Sequence, residues 1–272
     1  MYQEFFALND KPFALTSNPS FLYLSPKHKE ALAYLAYGIR ERMGFIEITG
    51  EVGTGKTTII RSLLNQLDEK TKTAFIFNSS LTELQLMQTV IEDLGIQTQK
   101  KGRAELFSEL NRYLIEQLRQ NNNVVLIIDE AQNLSMKLLE QVRMLSNLEA
   151  DNEKLLQIVL VGQPELRDKL ARPELRQLRQ RIAVRYHIDP LDHADVPRYI
   201  SHRLAVAGAV NGKSPVFLDK ALDEIGRYSG GVPRLINSVC DKALLMAYVL
   251  EERQINADIV KRCIREIEGG VS

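Results

Sequence analysis

The chain has 272 residues, 44% hydrophobic and 26% charged, which is ample for a buried core and excludes a disordered or low-complexity protein. Lys plus Arg and Asp plus Glu each number 35, so net charge is zero and any surface for nucleic acid or anionic membrane has to be local. Two cysteines without CxxC spacing argue against zinc or a disulfide framework and fit a reducing compartment. The start, Met1 to Phe6, lacks the basic and apolar regions of a signal peptide, and the longest apolar runs are far below the ~20 residues that span a bilayer. A soluble cytoplasmic protein without membrane insertion is expected.

Residues 1–44 are rich in aromatics, among them Tyr2, Phe5, Phe6, Phe13, Phe21, Tyr34 and Tyr37, with Pro12, Pro19 and Pro26 as punctuation. Ser25-Pro26 opens a helix running to about Arg40, because proline is tolerated in the first helical turn. This segment either walls the adenine side of a nucleotide site or plugs a sheet edge.

The apolar run Phe45-Ile46-Glu47-Ile48-Thr49 leads into GEVGTGKT, Gly50 to Thr57, and then into a helix with Thr57-Thr58-Ile59-Ile60 at its start. Strand, glycine-rich loop and helix in that order make a P-loop. Gly53 and Gly55 allow successive N–H groups to turn inward on a phosphate chain, Lys56 brings a point charge to the β- and γ-phosphates, and Thr57 offers a hydroxyl to Mg²⁺. Gly50, Glu51, Val52, Gly53, Thr54, Gly55, Lys56, Thr57 and Thr58 are therefore candidate ATP-binding residues. A merely tight turn would explain the glycines but neither Lys56 nor Thr57.

Thr73–Phe77 reads as a strand closed by Asn78-Ser79-Ser80, and 81–94 and 103–119 read as helices from their apolar spacing. Val124–Ile128 is a continuous apolar run, the mark of a parallel strand buried on both faces, and it ends in Asp129-Glu130. Asp129 is the candidate Mg²⁺ ligand and Glu130 the candidate base for the attacking water, against the alternative of a helix cap. A further strand, Leu155–Val161, precedes Gly162-Gln163-Pro164, where Gln163 is either a sensor of the γ-phosphate or a turn residue.

The stretch 167–185 holds seven basic residues (Arg167, Lys169, Arg172, Arg176, Arg179, Arg181, Arg185) against two acidic ones (Asp168, Glu174). Lying before the strand-like Tyr186-His187-Ile188, Arg181 and then Arg179 are candidates for an arginine finger on a neighbouring subunit's nucleotide. A solvated helix face and contact with DNA phosphates are the alternatives.

From Asp192 four helices are expected, at 192–208, 216–228, 233–250 and 256–267, with turns at Asn211-Gly212 and Ser229-Gly230-Gly231 and Asn256 as an N-cap. GGVPR, Gly230 to Arg234, starts the third, and Pro233 and Arg234 are candidates to reach the phosphates from a helical lid. The four histidines suggest no metal or nucleophile pair.

In this order the motifs resemble an AAA+ ATPase, with phosphate loop, Walker B pair, sensor 1 at Gln163, finger at Arg179 or Arg181 and sensor 2 at Arg234. More narrowly, the opening FFALNDKPFALTSNPSFLYLSPKHKEALAYLAYGI, GQPELR and LRQLRQRI are similar to the ATPase domain of the general secretion pathway protein A (ExeA-like) family. The resemblance implies an α/β P-loop domain over 1–190, its central parallel sheet sandwiched by helices, then an all-helical lid over 191–272. It implies a cytoplasmic Mg-dependent ATP hydrolase, homo-oligomeric as ring or filament with active sites shared between subunits, driving assembly of a secretion or envelope machine. Secretion-type members continue into a membrane helix and a periplasmic region, whereas this sequence stops at Ser272, so a free-standing relative or an excised domain is expected. The alternative function is an ATP-dependent regulator of transposition that binds duplex DNA and recruits a transposase. A third is a nucleotide-binding structural protein with negligible turnover.

Overall fold

The fold is seen in a computed structural model, which describes all residues except 15–17, 78–80, 151–152, 210–215 and 270–272. In chain order its elements are α1 (Tyr2–Phe5), α2 (Pro26–Arg40), β1 (Phe45–Gly50), α3 (Lys56–Leu64), β2 (Thr71–Ile76), α4 (Glu83–Asp93), α5 (Arg103–Arg119) and β3 (Asn123–Ile128). Next come α6 (Met136–Leu145), the short β4 (Glu149–Ala150) and β5 (Glu153–Lys154), β6 (Gln157–Gly162), α7 (Pro164–Leu170), α8 (Arg176–Arg181) and β7 (Ile182–Ile188). Four helices follow, α9 (Asp195–Val206), α10 (Asp219–Ser229), α11 (Pro233–Val249) and α12 (Ala257–Ile267).

The chain divides into two compact units, one of Lys27–Val52 and Ile59–Ile188, the other of Met1–Pro26, Gly53–Thr58 and Asp189–Ser272. The first is built on a five-stranded sheet in the order β2-β3-β6-β1-β7, parallel throughout, with β4 and β5 forming a separate antiparallel pair. Every residue of β1 and β6, and all of β3 after Asn123, is buried, as expected of strands covered by helices on both faces. The core around β3 and β6 is closed by Leu86, Leu110, Leu139 and Leu166 from α4, α5, α6 and α7. At the amino end of the sheet, Gln157 Nε2 donates to the carbonyls of Gly38 and Met43, both at 3.0 Å, so the end of α2 is tied to β6.

The second unit packs α9 to α12 around Ile200, Ile225, Ile236, Val239 and Val260. Segment 1–26, grouped with the P-loop region by the sequence reading, contributes Tyr2, Phe13 and Phe21 to this same core. Tyr2 donates its hydroxyl to Asp241 at 2.6 Å, and burial together with that carboxylate pushes its pKa up. The Arg203 guanidinium lies 5.1 Å from the Phe21 ring centroid and donates to the Pro12 carbonyl. Tyr2, Phe13 and Phe21 are thus core side chains, whereas Tyr34 and Tyr37 on α2 are exposed, Tyr34 against Tyr186 of β7.

Several boundaries differ from the sequence reading. Strand β2 begins at Thr71, because its pairing to β3 runs from Thr71 opposite Asn123 to Ile76 opposite Ile128. Strand β7 begins at Ile182, paired with β1 as far as Gly50, where alternating polar residues mask the strand pattern. Helix α6 and the β4–β5 pair were not anticipated. The α6 signal was present, since Ser135 accepts from the Leu138 N–H as an N-cap and Leu138, Leu139, Val142 and Leu145 fall at helical spacing. Asn256 does cap α12, accepting from the N–H groups of Asp258 and Ile259. The polar strand end at Asn78-Ser79-Ser80 and the turn at Asn211-Gly212 lie outside the described residues. Among the described residues no helix is long and apolar enough to cross a membrane.

Candidate functional site

In a parallel sheet, ligands bind beyond the carboxyl ends of the strands. Three adjacent strands carry the predicted chemistry to that edge in the first unit, because β3 runs into Asp129-Glu130, β6 into Gln163 and β1 into Gly50-Glu51-Val52. Asp129 is buried and accepts from the Glu130 N–H at 2.9 Å. Glu130 has φ 52° and ψ 36°, a left-handed conformation uncommon for a residue with a side chain. Backbone of this kind persists only where its surroundings hold it.

The hold is a set of side-chain amides. Gln163 Nε2 donates to Glu130 Oε2 at 3.2 Å, so the predicted base and the predicted sensor are in contact. Gln132 Nε2 donates to the same oxygen at 2.5 Å, and Gln132 Oε1 accepts from the Gln163 backbone N–H at 3.0 Å. Gln132 was passed over in the sequence. The only local hint was an amide two residues beyond the acidic pair, in a 3₁₀ turn over Ala131–Asn133 that the apolar pattern does not announce.

The neighbouring strand β1 carries two buried polar residues, Glu47 and Thr49. Thr49 Oγ1 lies 3.0 Å from His187 Nδ1 and accepts from Arg167 at 3.2 Å. Glu47 Oε2 is 3.2 Å from Arg185 Nε, while its Oε1 has no partner among the described residues. Burial raises the Glu47 pKa, and Arg185 and Arg167 oppose that rise. Arg185 also donates to the Arg179 carbonyl at 2.8 Å, which links β7 to α8. On α8, Arg181 donates to Ser146 Oγ at 3.0 Å, and the exposed Arg179 donates to the Ala171 carbonyl at 3.3 Å.

In the second unit, Gly53 and Gly55 have φ of 84° and 97°. Lys56 opens α3 and is buried, as is Thr54, and Thr57 and Thr58 follow in the first turn of the helix. Helix α11 starts with Pro233 in its first turn, and the Arg234 N–H, which has no acceptor inside its own helix, donates to the Gly53 carbonyl at 3.3 Å. A Cβ on Gly53 would sit 2.6 Å from the Arg234 Cβ, so a side chain there is incompatible with this approach. The GGVPR turn and the phosphate loop therefore meet through backbone, leaving the exposed Arg234 side chain available to a ligand.

Among the described residues no cluster of three or more His, Cys, Asp or Glu side chains could hold a metal by itself. Each unit, taken by itself, offers an oxygen donor of the kind Mg²⁺ accepts, the buried Asp129 carboxylate in the first and the Thr57 hydroxyl in the second.

A family described as an AAA domain matches residues 39–170. The chain is 46% identical over 270 residues, 99% of its length, to General secretion pathway protein A of Aeromonas hydrophila, and spans 49% of that relative. Similar solved structures include Drosophila ORC bound to DNA, with a TM-score of 0.73 at 18% identity, covering 98% of this chain and 66% of that one. The ORC2 protein of Aeropyrum pernix in its ADPNP and ADP complexes gives 0.70 at 18%, over 97% and 73% of the two chains. Cdc6p of Pyrobaculum aerophilum gives 0.71 at 18%, over 94% and 73%. At these identities the structural likeness establishes the AAA+ fold alone.

Proposed function

Because this chain belongs to the ExeA-like AAA+ ATPase family, we propose that it hydrolyses ATP to ADP and phosphate and that its nucleotide cycle drives assembly of a secretion or envelope machine. The observation that carries this reading is the contact between Glu130 and Gln163, from two adjacent strands, at the sheet edge that also receives the phosphate-loop strand. In this reading Gly50 to Thr58 cradle the triphosphate with backbone N–H groups, and Lys56 neutralises the β- and γ-phosphates. Thr57 and Asp129 hold Mg²⁺, which when bound draws charge from the phosphate oxygens. Glu130 takes the proton of the attacking water, and Gln163 orients that water or the γ-phosphate. Residues 191–272 act as a lid on the ATPase domain of 1–190, with Pro233 and Arg234 reporting the phosphates to it.

Catalysis is completed by Arg181 or Arg179 of a neighbouring subunit in a ring or filament, and a finger supplied in trans is worth about 10³–10⁵ in rate. Specific activity should then climb steeply with protein concentration. The test is steady-state ATP hydrolysis over a range of protein concentrations, with and without duplex DNA at low salt. A specific activity that is substantial and does not change with protein concentration would remove the shared site.

A second reading, an ATP-licensed DNA-binding regulator that recruits a transposase, is favoured by the exposed Arg172, Arg176 and Arg179, which have no acidic partner closer than 4 Å among the described residues. Activation by duplex DNA that fades with salt would select it, because counterion release scales with the phosphates contacted.

A further inference from the structure

The turn after β3 holds a closed triangle of hydrogen bonds whose third corner, Gln132, has no role in the chemistry above. Its side chain faces two groups of opposite polarity, the Glu130 carboxylate and the Gln163 N–H. A primary amide meets both at once, with NH₂ toward the carboxylate and carbonyl toward the N–H, and its orientation is thereby determined. A carboxylate at 132 would repel Glu130, and an alkyl side chain would leave the Gln163 N–H without its partner. That N–H lies at the N-cap of α7, just before Pro164, and has no place in the helix's own bonding.

Two further features serve Gln132. The Lys169 ammonium, on α7, donates to the Gln132 carbonyl and, at 2.8 Å, to the Leu134 carbonyl, fastening the 3₁₀ turn onto the helix that follows Gln163. Gly162 leaves room for the amide, since a Cβ there would lie 2.7 Å from Gln132 Oε1 and 2.9 Å from Leu166 Cδ2. Both amides converge on Glu130 Oε2, which commits that oxygen to the Gln132 and Gln163 side chains.

We propose that Gln132 is a positioning residue that locks Glu130 to the end of β6, so that carboxylate and Gln163 move as one body. The proposal rests on Glu130 being the base for ATP hydrolysis. Any displacement of Gln163 is then passed to Glu130 through two routes, the Gln163 amide and the Gln132 side chain. The left-handed backbone at Glu130 is held in place by the same tether.

The test compares the full chain with Gln132→Ala and Gly162→Ala, the latter keeping Gln132 but occupying its space. Turnover is measured where specific activity has reached its plateau with protein concentration, together with equilibrium binding of a fluorescent ATP analogue and NMR hydrogen exchange at the Gln163 amide. Both variants should lose about 10- to 100-fold in kcat, the scale of a misplaced catalytic group, with KM and analogue affinity little changed. Exchange at the Gln163 amide should accelerate by about tenfold or more, since its acceptor is removed in Gln132→Ala and displaced in Gly162→Ala. Adding Gln132→Ala to Glu130→Gln should cost nothing further, because the two act as a unit. Parent-like kcat in Gln132→Ala, KM rising in step with the loss, or unaltered exchange at Gln163 would each overturn the proposal. Parent-like turnover in Glu130→Gln would instead overturn the assignment of the base, and the positioning role with it, whatever the exchange data show.

Discussion

Strands β1 and β3 are buried almost equally and lead to the two halves of the same candidate chemistry, yet they are made differently. From Val124 to Ile128, β3 is wholly apolar, between β2 and β6. Strand β1 lies between β6 and β7 and carries Glu47 and Thr49 at positions just as inaccessible. What makes those residues tolerable is β7, which sets Arg185 opposite Glu47 and His187 opposite Thr49, with Arg167 of α7 reaching Thr49. Buried polar groups are costly unless they find partners, so β1 depends on its neighbours in a way that β3 does not. The apolar strand makes a rigid base for Asp129-Glu130. The polar one connects the phosphate-loop strand, through Arg185, to the carbonyl of Arg179 on the candidate finger helix.

Four substitutions test this contrast, in descending order of expected effect. Glu130→Gln, at the exit of β3, should reduce turnover by about 10²–10⁴-fold, the contribution of a general base, while equilibrium binding of an ATP analogue persists. Loss of binding instead would make Glu130 part of the nucleotide cradle. Leu126→Ala, in the middle of β3, should lower unfolding stability by about 2–5 kcal/mol in denaturant titrations, because the side chain is fully buried and its site is surrounded by paired strands. A change near zero would mean that the β3 core is far more plastic than its packing implies.

Gly53→Ala, beyond the exit of β1, should weaken nucleotide binding through about 1–3 kcal/mol of overpacking, since the new methyl meets the Arg234 Cβ. Unchanged affinity by titration would show that the backbone bond between Arg234 and Gly53 is dispensable.

The smallest effect, and the one that distinguishes β1 most directly, is that of Glu47→Gln. Burial raises the Glu47 carboxyl above its ordinary 4.5, so the fold favours the protonated form. Its contribution to stability is therefore complete below the unfolded value and is lost as pH rises through the folded one. The amide has no such cost, and the Arg185 that it would leave is half exposed. The melting temperature of Glu47→Gln should thus gain on the parent as pH rises above the ordinary carboxylate range, the direction set by the raised folded-state pKa. A gap that does not vary with pH would mean that Arg185 fully compensates the buried charge.

The parts legible in the sequence were those with contiguous signals. Gly50 to Thr57 is readable because phosphate binding needs particular backbone conformations and side chains within a few residues of each other, and Val124 to Glu130 because a doubly covered strand must be apolar up to the point where it leaves the sheet. Helix α12 was legible from Asn256, since a cap is a local bond.

Other features depend on residues far apart in the chain. The first part of strand β7, Ile182 to Arg185, hid behind Arg185, whose reason for being there is Glu47 opposite it on β1. The aromatics of segment 1–26 were read as an adenine wall or a sheet-edge plug, whereas packing sends Tyr2, Phe13 and Phe21 into the helical core. Gln132 looked like a polar turn residue because its partners belong to different elements, brought within bonding distance when β6 pairs with β3. The sequence by itself determined which residues are candidates to bind phosphate, ligate Mg²⁺ and accept a proton, since those candidacies rest on side-chain chemistry and immediate spacing. Only the tertiary structure decided which of them touch, because strand order and side-chain contact are settled by pairing and packing across long separations.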